Sequence, residues 1–211
     1  MIGDIITIRD EYFSTAETIL SLLDKNNFPK VFAIGGESGS GKSVTSICLQ
    51  KRLKENGVSA FILHIDDYFI YPPITNHDRR VENIERVGEF EVNLTLLQKN
   101  VNSFLDGEEF LEKPIVNYRL NQILSEQINL SAYRCLIIEG TYSFSLKNID
   151  CYIFMDRTYK ETYLQRKERG REQESDFIED VLAIEHKIIR PNREKANFIV
   201  LADYSVIQVT D

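Results

Sequence analysis

A glycine-rich segment constrains the fold more than any other feature of this sequence. Residues 36–43 read GESGSGKS and fit the pattern GxxxxGK[ST] at every fixed position. A short β-rich run, residues 30–34 (KVFAI), precedes the segment, and residues 42–56 follow it with apolar side chains at helical spacing. This is the strand–loop–helix setting that the pattern requires. The sequence therefore predicts a phosphate-binding loop between a buried strand and a helix.

The spacing within this loop has a chemical reason. Glycines let the backbone approach a ligand closely, so that successive N–H groups surround phosphate oxygens at the positive end of the following helix. We expect Lys42 to bridge the β- and γ-phosphates of ATP and the Ser43 hydroxyl to bind Mg²⁺. The predicted ATP-binding residues are Gly36, Glu37, Ser38, Gly39, Ser40, Gly41, Lys42, Ser43 and Val44.

Strand-like and helix-like runs alternate along the rest of the chain. Short β-rich runs at 59–65, 135–138, 151–155, 197–201 and 206–209 alternate with helical patterns at 9–25, 42–56, 93–106, 158–171 and 175–190. Residues 66–92 are polar and irregular, with a short helix near 79–87, and residues 108–131 alternate as in an exposed hairpin. We predict one α/β domain over 1–211, with a three-layer P-loop fold and a mainly parallel sheet flanked by helices.

Composition narrows the classes of function. The net charge of −8 argues against nonspecific nucleic-acid binding, and no apolar run is long enough for a membrane span. The N-terminus lacks the pattern of a secretory signal. The three cysteines form no CxxC pair and lie in apolar runs, which indicates buried thiols and a reducing, cytoplasmic environment. The three histidines are scattered, so a zinc site is not expected.

Two carboxylates follow buried strands, where ligands of parallel sheets bind. Asp66 ends the run at 59–65, and Glu139 ends the run at 134–138. A kinase needs one carboxylate to accept a hydroxyl proton and another to hold Mg²⁺. We assign Asp66 the first role and Glu139 the second; either could instead be a helix cap or a turn residue, and Asp67 is the alternative base.

A cationic segment covers residues 157–171. Arg166 and Arg169 lie three residues apart and share a helix face, so both are candidates to stabilise charge on a transferred phosphoryl group. Gly170 would be a hinge for a lid over about 157–173. The alternative is a solvated helix whose arginines pair with neighbouring glutamates.

These motifs resemble the phosphoribulokinase/uridine kinase family, most closely its uridine-kinase-like members, over roughly residues 30–201. GGESGSGKS resembles the family's phosphate loop, Asp66-Asp67-Tyr68-Phe69 its acid–aromatic motif, and Ile138-Glu139-Gly140 its Glu-Gly turn. Glu168-Arg169-Gly170-Arg171 is similar to its arginine-rich lid. The resemblance implies ATP and Mg²⁺ as cofactors, Asp66 as the catalytic base, and a substrate-side insertion over about 68–131.

The substrate motifs depart from that family. The ribose-reading His-Pro-Asp-x-Phe-Asp stretch is replaced by Val87-Gly88-Glu89-Phe90-Glu91, and a Pro-x-Tyr motif becomes Pro114 followed by a displaced Tyr118. The resemblance still implies Asp66, Tyr68, Glu91 and Tyr118 as substrate-binding residues. It implies a kinase for a hydroxyl of a nucleoside-like metabolite, as in uridine/cytidine kinases, with pantothenate, nicotinamide riboside, a sugar or glycerate as other acceptors.

Two other classes stay open at this point. A nucleotide-dependent sensor would need no base at Asp66, and a degenerate kinase would act only through partners. No NKxD-type motif of a GTPase switch follows a strand, while the choice between ATP and GTP is left open. A small-molecule substrate is the expected partner, and self-association is left open.

Overall fold

The computed structural model describes residues 7–169 and 175–209, with Glu168 and Arg169 described by their backbone only. The described strands form one six-stranded sheet and a separate two-stranded hairpin. Their bounds are β1 (Val31–Gly36), β2 (Ala60–His64), β3 (Phe110–Asn117), β4 (Gln122–Asn129), β5 (Cys135–Glu139), β6 (Cys151–Met155), β7 (Phe198–Val200) and β8 (Val206–Gln208). The sheet order is β2-β5-β1-β6-β7-β8, with every pairing parallel except that of β7 with β8.

Helices cover both faces of this sheet. Their bounds are α1 (Asp10–Leu22), α2 (Lys42–Glu55), α3 (Pro73–Glu82), α4 (Leu94–Leu105), α5 (Tyr163–Arg169) and α6 (Asp176–Ile189). Alternate residues of the central strands face opposite layers: Phe32 and Ile34 of β1 pack with α1 and α2, whereas Val31 packs in a cluster with α4. The predicted three-layer α/β fold with a mainly parallel sheet is confirmed.

The hairpin is the element that extends away from this sheet. β3 and β4 pair antiparallel over their whole lengths, from Phe110 opposite Asn129 to Asn117 opposite Gln122. Their pairing confirms the hairpin predicted from the alternating pattern of 108–131. Leu111 and Leu130 at its base are buried in the cluster that contains α4, so one end of the hairpin is fixed to the core.

The helix between β2 and α4 is where the sequence prediction was wrong. A short helix was expected near 79–87, but α3 covers Pro73–Glu82 and a 3₁₀ turn follows at Ile84–Arg86. The Pro72-Pro73 pair indicated a loop, yet Pro73 occupies the first helical turn, where its missing N–H has no intrahelical partner to lose. The charged helix, predicted from residue 158, begins at Tyr163.

Helix α1 packs beside α2 and contacts the segment that leads into β8. The Thr15 hydroxyl of α1 donates to the Tyr204 carbonyl oxygen at 2.9 Å, just before β8.

The three cysteines, Cys48, Cys135 and Cys151, are buried and unbridged, as predicted. Among the described residues, no helix has both the length and the apolar character needed to cross a bilayer.

Candidate active site

The glycine-rich segment connects β1 to α2 as a tight loop. β1 ends at Gly36 and α2 begins at Lys42. Gly39 has a φ of +75°, and a Cβ there would lie 2.8 Å from Cγ of Arg166, so both backbone conformation and space favour glycine. The Lys42 ammonium donates to the Glu37 carbonyl oxygen at 2.8 Å, which holds the lysine across the loop.

Glu37 places a carboxylate inside this loop, where a negative charge would repel phosphate. Its side chain is buried, and it accepts hydrogen bonds on the side of α6: Oε2 from the Tyr159 backbone N–H at 2.7 Å, with Oε1 2.8 Å from Nδ1 of His186. It is absent from the described residues that line the cleft. Glu37 therefore anchors the loop to Tyr159 and to His186 of α6, although the pattern GxxxxGK[ST] does not specify the residue at this position.

Glu139 lies at the end of β5, next to the start of α2. Its Oε2 accepts from the Ser43 hydroxyl at 3.1 Å, and its Oε1 lies 2.6 Å from Nδ1 of His64. Burial alone would raise the pKa of Glu139, but the His64 hydrogen bond and charge, with the charge of Lys42, lower it below its ordinary value. The carboxylate is therefore ionised at neutral pH.

The pair Ser43–Glu139 suits a hard divalent cation. Mg²⁺ binds through oxygen ligands and commonly takes one or two protein groups plus substrate phosphates and water. The described residues contain no group of three or more His, Cys, Asp or Glu side chains that would hold a metal without phosphates. The donor set thus fits a metal that arrives with a nucleotide.

Beside this loop lies a cavity of about 420 Å³. It contains seven of the residues predicted to bind ATP, metal or substrate: Ser38, Gly39, Lys42, Ser43, Asp66, Tyr118 and Glu139. It also contains residues that the sequence analysis did not select: Phe69, Tyr71, Pro73, Ile74, Asn76, His77, Arg80, Val116, Thr141, Ile178 and Glu185. The cavity therefore extends from the phosphate loop to α3, the hairpin and α6.

The adjacent aspartates have different environments. Asp66 lines the cavity, with its Oδ2 3.5 Å from the Tyr118 hydroxyl. Asp67 is fully buried and is not among the described residues that line the cavity. Its Oδ2 accepts from Nζ of Lys113 at 3.2 Å, and its Oδ1 accepts from the Val116 backbone N–H at 2.9 Å. Of the two, only Asp66 is among the described residues that line the cavity.

Two predicted substrate residues lie behind the cavity wall. Tyr68 is buried in the core, and its hydroxyl accepts from the Asn100 side-chain amide at 2.8 Å. Glu91 is also buried and forms a bidentate pair with Arg80 at 2.6 and 2.8 Å. Neither is among the described residues that line the cavity, so their predicted contacts with a substrate stay predictions.

The cationic segment contacts the loop through Arg166. Arg166 is buried; it packs against Gly39 and donates to the Tyr159 carbonyl oxygen at 3.3 Å and to Glu179 of α6 at 2.9 Å. The carboxylate that pairs with Arg166 therefore lies on α6 and not on α5 itself. The side chain of Arg169 and the predicted hinge at Gly170 lie outside the described residues.

Some of the missed cavity residues had a signal in the sequence. Pro73 is typical of the first turn of a helix, and polar residues follow from Thr75 to Arg80; the helix α3 brings Asn76 and Arg80 into the cavity. Thr141 directly follows the Glu139-Gly140 turn. Glu185 had no such signal, because its place depends on how α6 packs across the sheet.

The fold and the cleft together define an α/β protein with a phosphate-binding loop and a neighbouring carboxylate. A family model described as the phosphoribulokinase/uridine kinase family matches residues 31–201, and the chain belongs to this family. The chain is thereby a kinase-family protein, with β1 through β7 inside the matched region and α1 and β8 outside it.

Individual relatives are distant. The chain is 26% identical over 192 residues to a bifunctional alpha-galactosidase/sucrose kinase of Mediterraneibacter gnavus, a match that covers 84% of this chain and 20% of that protein's length. It is 28% identical over 185 residues to a uridine kinase of Leuconostoc citreum, covering 82% and 87% of the two chains. A possible uridine kinase from Bacillus stearothermophilus has a similar fold, with a TM-score of 0.59, 18% identity and 90% and 97% coverage.

Proposed function

We propose that this protein transfers the γ-phosphate of ATP to a hydroxyl group of a nucleoside-like metabolite, as uridine/cytidine kinases do. One observation carries the proposal: Asp66 and Lys42 line the same cavity, so a base and a phosphate-binding cation face one space. Membership of the kinase family and the matches to uridine kinases support it. The reaction would take place in the cytoplasm, which three buried, unbridged cysteines favour.

The residues have separate tasks in this reaction. The loop amides and Lys42 bind the phosphates, and the acceptor oxygen attacks the γ-phosphorus while the bond to the β–γ bridging oxygen breaks. Asp66 accepts the proton of the attacking hydroxyl, and Tyr118 orients that carboxylate. Ser43 and Glu139 would hold Mg²⁺, which neutralises charge on the phosphates when bound.

The predicted insertion, the predicted lid and the other predicted site residues also have roles in this reaction. We assign α3 and the hairpin, within the insertion at about 68–131, to the acceptor, and the segment 157–173 to a lid. Arg166 and Arg169 would then stabilise charge on the transferred group. For Arg166 this requires moving from its pair with Glu179 towards the cavity. Tyr68 and Glu91 would act by supporting the cavity wall.

A sugar is the second candidate for the acceptor. One relative is named a bifunctional alpha-galactosidase/sucrose kinase, although this chain spans only 20% of its length. The cavity also combines aromatic side chains, Phe69, Tyr71 and Tyr118, with polar groups, an arrangement that suits either a nucleoside or a sugar ring. We prefer a nucleoside to a sugar as the acceptor because several uridine kinases match this chain over most of their lengths.

The test is acceptor-dependent formation of ADP. Purified protein is incubated with MgATP and a panel of nucleosides, sugars and vitamins, and ADP is measured with and without each compound. At least one nucleoside should increase ADP formation many-fold over the rate with ATP alone. A protein that binds ATP yet forms no additional ADP with any compound would contradict the proposal and favour a nucleotide sensor.

A further inference from the structure

The phosphate loop is held by a buried carboxylate that does not line the cavity. The Glu37 side chain is only 3% exposed, and each of its two carboxylate oxygens has a partner outside the loop. Oε2 accepts from the Tyr159 backbone N–H at 2.7 Å, and Oε1 lies 2.8 Å from Nδ1 of His186 on α6. An ionised carboxylate only accepts hydrogen bonds, so Nδ1 of His186 is the donor. Because a buried carboxylate without donors is costly, these two bonds fix where the Glu37 side chain lies.

The backbone of the same residue holds the phosphate-binding lysine. The Glu37 carbonyl oxygen accepts from Nζ of Lys42 at 2.8 Å and from the Ser40 backbone N–H at 3.2 Å. A displacement of the Glu37 side chain would therefore also shift the carbonyl oxygen that positions Lys42. His186, Glu37 and Lys42 thus form a connected series of contacts that leads from α6 to the cavity lining.

The next two residues of the loop are held by the segment that follows β6. The Thr162 hydroxyl donates to the Ser38 carbonyl oxygen at 2.7 Å, and a Cβ on Gly39 would lie 2.9 Å from Cβ of Thr162. These contacts do not involve His186. Replacing His186 should therefore remove one restraint on the loop while the restraints at Ser38 and Gly39 remain.

The placement of Glu37 and His186 separates positioning from direct chemistry. Neither residue is among the described residues that line the cavity, so neither is placed to act as a base or a metal ligand there. The His186 side chain is 35% exposed, and partly exposed positions tolerate substitution better than core positions do. A contribution to stability alone is the competing explanation for the pair.

We propose that His186 is a positioning residue for ATP, which acts through Glu37 to keep the loop amides and Lys42 in the arrangement that binds phosphates. The inference rests on the proposed binding of ATP at this loop, and it adds a residue that lies outside the loop pattern. Preorganised donors bind a charged group more tightly because the binding step does not have to order them. Loss of the contact between Glu37 and His186 should therefore weaken nucleotide binding.

The experiment measures the dissociation constant of a nonhydrolysable MgATP analogue by calorimetry, without an acceptor. His186→Phe removes the Nδ1 donor and keeps a ring beside Tyr159, whose ring centre lies 5.9 Å from that of His186. A hydrogen bond to a charged group is stronger than a neutral one, so the dissociation constant should rise about fivefold or more. His186→Asn offers an amide N–H near the position of Nδ1 and should keep the dissociation constant within about twofold of that of the unmodified protein.

Lys187→Ala is the matched control, because Lys187 is the next residue of α6 and is exposed. It should leave the dissociation constant unchanged. An unchanged dissociation constant in His186→Phe overturns the inference. An equal weakening in His186→Phe and His186→Asn, or in His186→Phe and Lys187→Ala, also overturns it.

Thermal unfolding without nucleotide separates positioning from stability. If the pair only stabilises the fold, His186→Phe will have a lower unfolding temperature and an unchanged affinity for the analogue, and this result overturns the inference. If His186→Phe does not fold, His186→Ala removes the same donor with a smaller side chain and is measured in its place.

Turnover provides a separate test. With an acceptor that is phosphorylated, His186→Phe should raise KM for ATP and leave KM for the acceptor within about twofold. A rise confined to KM for the acceptor would place the effect at the neighbouring Glu185, which lines the cavity, and would overturn the inference. If the protein binds the analogue but phosphorylates no compound, the proposed function fails, and the dissociation constants alone decide this inference. If the unmodified protein does not bind the analogue, both fail.

Discussion

Replacing Asp67 by asparagine tests whether the two adjacent aspartates have separate roles. Asp67 is fully buried and its carboxylate connects the end of β2 to the hairpin through Lys113 and Val116. Lys113 has only 3% of its side chain exposed, so the substitution removes one charge of a buried pair. The variant should lose stability, because the Lys113 ammonium then lacks half of its compensating charge.

The expected size follows from the contacts that survive. Breaking a buried ion pair by removing one partner costs about 3–5 kcal/mol. Lys113 keeps its bond to Glu126 at 2.8 Å, and the asparagine oxygen can still accept from the Val116 N–H, so the lower end of that range applies. About 3 kcal/mol lowers the unfolding temperature of a chain of this size by about 6–12 °C.

Thermal unfolding, followed by circular dichroism, measures this change. Asp66→Asn is the matched control, since it makes the same chemical change one residue away in a half-buried cavity side chain and should shift the midpoint by under about 2 °C. A midpoint for Asp67→Asn equal to that of the unmodified protein would refute the reasoning. So would a larger loss of stability in Asp66→Asn than in Asp67→Asn.

Three further results are expected. His64 and Glu139 form a pair whose pKa values both change in the folded protein. Burial opposes both changes, yet the pairing raises the pKa of His64 above 6.5 and lowers that of Glu139 below 4.5. The charge on His64 therefore stabilises the fold below pH 6.5, and the charge on Glu139 stabilises it above pH 4.5. His64→Gln should therefore lower the unfolding temperature more at pH 6 than at pH 8.5, and equal losses would contradict the pairing. Gly39→Ala should weaken ATP binding about tenfold or more by calorimetry, since alanine disfavours φ +75° and its Cβ would meet Arg166; unchanged affinity would contradict the loop geometry. Burial raises the pKa of the Cys135 thiol to about 11 and that of Cys151 to about 12, so a thiol reagent at pH 8 should label them only in denaturant; fast native labelling would contradict their burial.

The sequence was most informative where function depends on local order. The phosphate loop needs particular residues at fixed spacing between a strand and a helix. The segment GESGSGKS therefore predicted the strand before it and the helix after it. The parallel sheet likewise followed from alternating runs. Asp66 and Glu139 could be selected because strand ends of a parallel sheet share one edge.

Contacts between distant segments were beyond the sequence alone. Asp66 and Asp67 are equivalent as neighbours in a motif, and only the pairing of Asp67 with Lys113, 46 residues away, distinguishes them. The partner of Glu37 is His186, 149 residues away, and nothing in the loop pattern specifies it. Glu91 was expected at a substrate, but it pairs with Arg80 of α3, a helix that begins at Pro73, earlier than the sequence predicted.

In the proposed reaction, Asp66 acts on an acceptor in the same cavity where Lys42 binds ATP. The most direct measurement compares kcat with the best acceptor, and the dissociation constant for MgATP, between the unmodified protein and Asp66→Asn. If Asp66 is the base, kcat should fall by about 10²–10⁴-fold while the dissociation constant stays within about threefold. Turnover that persists in Asp66→Asn, or ATP affinity that falls in parallel with turnover, would contradict it.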